Sequence, residues 1–134
     1  MAEVFLILIL GHFTPYIMRA TKKINLIREN LKKNPEGITL NFKGEVVNKK
    51  KGFYVSISNI SGRRLNYLIN KTLFIRRTAF KETKNLFMGG WFDGKKYFLD
   101  LSLFVEEEER ALYLGKLFNQ QAIFNINKSE CVSL

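Results

Sequence analysis

The 134-residue chain has one cysteine, one histidine and two prolines, and its acidic residues number 12 against 22 lysines and arginines. A single thiol, Cys131, cannot close a disulfide within one chain and cannot supply a cysteine-based zinc site, so a reducing compartment is expected. With His12 the only imidazole, a Ser-His or Cys-His nucleophile has one possible base, and that residue lies in an N-terminal stretch with no second ligand spaced to share a metal. No metal and no cofactor is expected. The longest apolar run, Val4 to Leu10, is seven residues, far below the roughly 20 that span a bilayer as a helix. No membrane span is therefore expected. The acidic Glu3 before this run also argues against a secretory leader. P-loop, GxGxxG and HExxH motifs are missing.

What is present is positive charge, unevenly placed. Arg19 to Lys84 holds 17 lysines and arginines against 4 acids, whereas Leu86 to Leu134 holds 5 against 7. Such a field concentrates acidic ligands without choosing among phosphates, acidic proteins and anionic membrane. Nearly half of the residues are apolar, so the chain can close one core.

The pattern predicts a single α+β domain, an antiparallel β-sheet of hairpins or a meander packed against two or three α-helices. Residues 1–17 form an apolar segment that reads as a buried strand, an interfacial anchor or sequence upstream of a start at Met18; residues 18–134 form the domain. A helix capped by Thr21 is expected to run to about Lys33, with Ile24, Ile27 and Leu31 on one stripe. Ile38–Phe42, Glu45–Asn48 and Phe53–Ile57 read as a three-stranded meander, with Lys49, Lys50 and Lys51 on a hairpin tip. Leu65–Leu73 fits helix or strand, and Phe74–Lys84 helix or loop. Met88–Phe92 and Lys95–Phe104 flank Asp93-Gly94, the pair favoured in a two-residue type I′ turn. A helix over Glu106–Phe118, with Ala111, Leu114 and Phe118 facing inward, and strands over Ala122–Ile126 and Cys131–Leu134 complete the reading.

For chemistry, Asp93 and Asp100 are the only carboxylate pair that could serve acid–base catalysis. Asp93 is accounted for by its turn, and Asp100, on the same face as Ser102, reads as a hydrogen-bonding partner for the helix that follows, so no catalytic residue is assigned. Binding is better supplied, by twelve phenylalanines, five tyrosines and one tryptophan among the cations. Most of these rings must fill the core, leaving two or three for the surface. The residues suited to a nucleotide are Trp91 and Phe92 for stacking, Asn119 and Gln120 for reading a base edge, and Arg63, Arg64, Arg76 and Arg77 for phosphates. Each has a structural alternative: a core anchor for Trp91, a helix C-cap for Asn119, a solvated surface for the arginines.

The stretch Gly89–Asn125 (GGWFDGKKYFLDLSLFVEEEERALYLGKLFNQQAIFN) resembles a pattern of small phage and prophage accessory proteins: GGW, a turn, LDxS, an acidic helix, then NQxAIF. The GITLNFKGEVV stretch is similar to their beginning. Within that group it resembles the Thoeris anti-defence sponge family, which sequesters cyclic ADP-ribose signals without cleaving them. The resemblance implies a cytoplasmic, non-enzymatic counter-defence protein of an infected bacterial host. Its ligand would be a cyclic nucleotide, and the sequence leaves a monomer and a homo-oligomer both open. Two alternatives share the same acidic-partner logic: an anti-CRISPR-like inhibitor docking its basic surface on a host nucleoprotein defence complex, and a nucleic-acid-binding protein.

Overall fold

A computed structural model describes residues 14–134 apart from Gln121, with side chains from Thr21 onward. The run Val4–Leu10 and His12 lie outside the described residues. The elements are α1 (Thr14–Lys33), β1 (Ile38–Leu40), β2 (Phe53–Gly62), α2 (Leu65–Ala79), β3 (Leu86–Phe92), β4 (Tyr97–Val105), α3 (Glu108–Leu117), β5 (Ala122–Asn125) and β6 (Glu130–Ser133). All six strands pair antiparallel in one sheet of order β1-β3-β4-β2-β5-β6. The α+β expectation holds.

The alternation of β4 sorts the molecule into layers. Tyr97, Leu99, Leu101, Leu103 and Val105 share one face and meet the helices, while Phe98, Asp100, Ser102 and Phe104 point to the other. On the helical side two apolar clusters form. Ile27 and Leu31 of α1, Leu65, Leu68 and Ile69 of α2, and Leu40, Met88 and Leu99 of the sheet make one. Ala111 of α3 with Phe53, Val55, Val105 and Ile123 makes the other. The paired glycines of β3 serve one face each. A Cβ on Gly90 would strike Leu31 and Leu99, so its absence lets α1 lie close to the sheet; a Cβ on Gly89 would strike the Asp100 carboxylate on the opposite face.

Several boundaries differ from the sequence reading. Helix α1 begins at Thr14, not after Thr21, because Pro15 sits in the first turn, where its missing N–H is unpaired in any helix. The expected meander does not form. β1 pairs with β3, β2 pairs with β4 and β5, and Glu45–Asn48 contributes only an isolated bridge, Leu40 to Val46. Lys49–Lys51 thus lies not on a hairpin tip but on the connection from β1 to β2, where the Lys49 ammonium covers the rings of Phe104 and Phe87 at 4.7 and 5.9 Å. The ambiguous Leu65–Lys84 stretch is helix to Ala79 and loop beyond. In the β3–β4 hairpin the central turn residues are Gly94 and Lys95, since Asp93 N–H bonds the Lys96 carbonyl. Only Gly94 has positive φ, the sign a type II′ turn requires at its first central residue, and Asp93 instead accepts the N–H groups of Lys95 and Lys96. Phe118, expected inward, is at the exposed end of α3.

Candidate functional site

Strand β2 carries ten residues, but β5 pairs only with Phe53 and Tyr54, so the half from Ser56 to Gly62 has β4 as its one strand neighbour among the described residues. A bulge at Ile57 shifts the register between Ser56 and Ser58 and re-aims the side chains that follow. Asn59 and Ser61 thereby face the side away from the helices, opposite Asp100 and Phe98. From β3, Trp91 aligns with Phe98, and the two rings stack at 4.4 Å and 12°. Together these residues wall an open cleft of about 330 Å³ lined by Asn59, Ile60, Ser61, Trp91, Phe98, Leu99 and Asp100. Volumes of this order accept a small planar ligand.

Trp91 is 46% exposed, so it is a shelf at the surface and not a core anchor. Its stacking partner Phe98 holds the ring orientation. The polar wall is a hydrogen-bonded chain. The Ser102 hydroxyl donates to Asp100 at 2.9 Å, and Ser56 donates to Asn59 Oδ1 at 3.0 Å while also lying within reach of Asp100. Ser56 has one hydrogen and serves one of them at a time. Burial pushes the Asp100 carboxyl above the usual carboxylate range, opposed by Ser102, Ser56 and the Gly89 N–H, with no cation among the causes. Ser56 bonds Asn59 through its oxygen, so the Asn59 amide N–H₂, without an acceptor among the described residues, is the donor this wall offers. The other half of this face is closed: Tyr54 packs against Phe104 and Phe87, and Lys49 covers the last two.

The expected site residues are only partly brought together. Phe92, next to Trp91 on a strand, points to the opposite face and packs on Tyr97 at 4.6 Å, so the two cannot clasp one base. Arg63 and Arg64 follow Ser61 by two and three residues and line a hollow of about 560 Å³ with Arg28, Lys32, Asn66 and Tyr97. The cleft and this hollow share the ends of β2 and β4. Arg76 and Arg77 sit in the last turn of α2, about 20 Å along the helix from the first pair, where Arg76 covers the Phe42 ring at 4.3 Å. Both arginines, after burial, hold the Lys23 ammonium below its ordinary pKa. Asn119 and Gln120 close α3: Asn119 has φ +56 and its N–H bonds the Lys116 carbonyl, while Gln120 N–H bonds Gly115. This is a Schellman C-terminus, so both residues terminate a helix of the opposite layer and read no base in the cleft.

Neither protein-family models, nor curated proteins, nor solved structures give a match to this chain. Among the described residues no three metal-ligating side chains converge, and no helix is long and apolar enough to cross a membrane. Sequence reasoning missed Asn59, Ser61, Phe98 and the cleft role of Asp100. The bulge that aims Asn59 and Ser61 has no local sequence signature, because SISNI alternates acceptably in either register.

Proposed function

We propose that this protein works by binding, and that its ligand is a nucleotide of the kind a counter-defence sponge withdraws from an immune pathway. The observation that supports this reading is the exposed Trp91 ring, backed by Phe98, beside the amide of Asn59, with Arg63 and Arg64 two and three residues beyond Ser61 on the same strand end. A base would lie on the indole and its phosphates would reach around the end of β2 toward Arg63, Arg64, Arg28 and Lys32. Arg76, Arg77, Asn119 and Gln120 take no part.

Isothermal titration of the full chain with cyclic ADP-ribose isomers and cyclic oligonucleotides tests the proposal. Heat is expected with at least one of them, and Trp91→Ala should weaken that binding by tenfold or more while leaving the circular dichroism spectrum unchanged. Silence across the whole panel would end this reading.

A further inference from the structure

A second feature, independent of the cleft, lies on the solvent side of α2. Leu65, Leu68, Ile69 and Thr72 bury the inner face of this helix. Just before the helix stand Arg63 and Arg64, and from Arg64 the outer face continues through Tyr67, Lys71, Phe74 and Arg77 at steps of three or four residues, all exposed. The order is cation, ring, cation, ring, cation. Tyr67 is 58% and Phe74 56% exposed, among the largest exposures of any apolar or aromatic side chain described. Neither packs in either core cluster, and Lys71 reaches back over the Tyr67 ring at 5.8 Å. Helix α2 contains no acid at all. Its neighbour α1 adds Lys23, which lies close enough to Arg76 and Arg77 to feel their charge, and Arg28, whose guanidinium bonds Asn66 at 3.2 Å.

From this alternation we infer that the outer face of α2 is a binding track for single-stranded nucleic acid. A solvated basic face needs charges but no rings. A single strand presents both requirements: unstacked bases that lie on aromatic faces, and a phosphate beside each base. Tyr67 and Phe74 are about 10 Å apart along the helix axis, enough for stacked bases separated by one or two nucleotide steps. Arg63, Arg64, Lys71 and Arg77 flank the rings and meet the intervening phosphates. A duplex keeps its base faces inside the stack and would use the charges alone.

The test is fluorescence anisotropy of the full-length protein with a labelled oligothymidylate of about 12 nucleotides, within the range of one single-strand site. Saturable binding is expected, with log K falling against log salt at a slope of about −3, the value for four phosphate contacts on a single strand. Tyr67→Ala and Phe74→Ala should each weaken it about tenfold. Both residues are exposed, so the variants should melt like the parent. Trp91→Ala should leave oligonucleotide binding untouched, which separates failure of this inference from failure of the nucleotide proposal. The inference is overturned if no oligonucleotide binds at low salt, if the double ring variant binds as tightly as the parent, or if a duplex of equal length competes equally well. It is also overturned if only vesicles containing phosphatidylserine bind.

Discussion

Asp100 and Gly89 form a matched pair across β4 and β3: the glycine leaves the volume that the carboxylate fills, and its N–H helps hold the charge. Since burial raises the Asp100 pKa, the native state takes up a proton more readily than the unfolded chain, whose Asp titrates near 3.9. The sign of the linkage follows. Stability from this group is fully present below the unfolded value and is lost as pH rises through the shifted one. Asp100→Asn keeps the shape and an acceptor for Gly89 without the charge. Its Tm should exceed that of the parent at pH 7, and the difference should vanish on acidification toward pH 3 in a series of thermal melts. At this scale the sequence was partly legible: that Asp100 and Ser102 share a face follows from strand alternation, whereas the partnership with Ser56 and Asn59 depends on a strand some 40 residues away.

The elements differ in how locally their ends are determined. Helix α3 stops where Phe118-Asn119-Gln120 adopts a Schellman turn, and Asn119 pays with a left-handed backbone at φ +56. Asn119→Gly should remove that strain and raise stability by ~0.5 kcal/mol, about 2 °C in a thermal melt. Gly115, one turn earlier, is not exchangeable in the same way, since a Cβ there would press on Ile123 and Leu134. The C-terminal end of α1 at Asn34-Pro35 and the acidic first turn of α3 were legible because caps, prolines and dipole-favoured charges act within a few residues. The 65–79 segment was not. Its spacing of Leu65, Leu68, Ile69 and Thr72 suits a helix, but Thr72, Ile75 and the aromatic residues suit a strand equally, and only docking on Leu99 and α1 selects between them.

At the scale of the whole molecule, one face of the sheet is covered by three helices and the other is divided between a closed half under Lys49 and the open Trp91 cleft. The rings of the two sites, Trp91 in the cleft and Tyr67 and Phe74 on the α2 track, therefore belong to different elements, and the sites meet only at Arg63 and Arg64. Combining Trp91→Ala with Tyr67→Ala and Phe74→Ala should weaken nucleotide and oligonucleotide binding independently, each loss equal to that of its parent variants, as titration of the combined variant with both ligands would show. A deviation from additivity would mean that the two sites hold one ligand.

Composition, charge asymmetry and period settled, from the sequence alone, that this is a basic α+β domain with a strand–turn–strand near Asp93-Gly94 and an acidic-fronted helix after it. These follow from interactions spanning a few residues, or from sums over the chain that no folding can alter. Strand order, the β2 bulge, and the meeting of Ser56 and Asn59 with Asp100 were decided by tertiary structure. Each depends on which distant segment pays the entropy of pairing, and that competition is won by packing of the whole core.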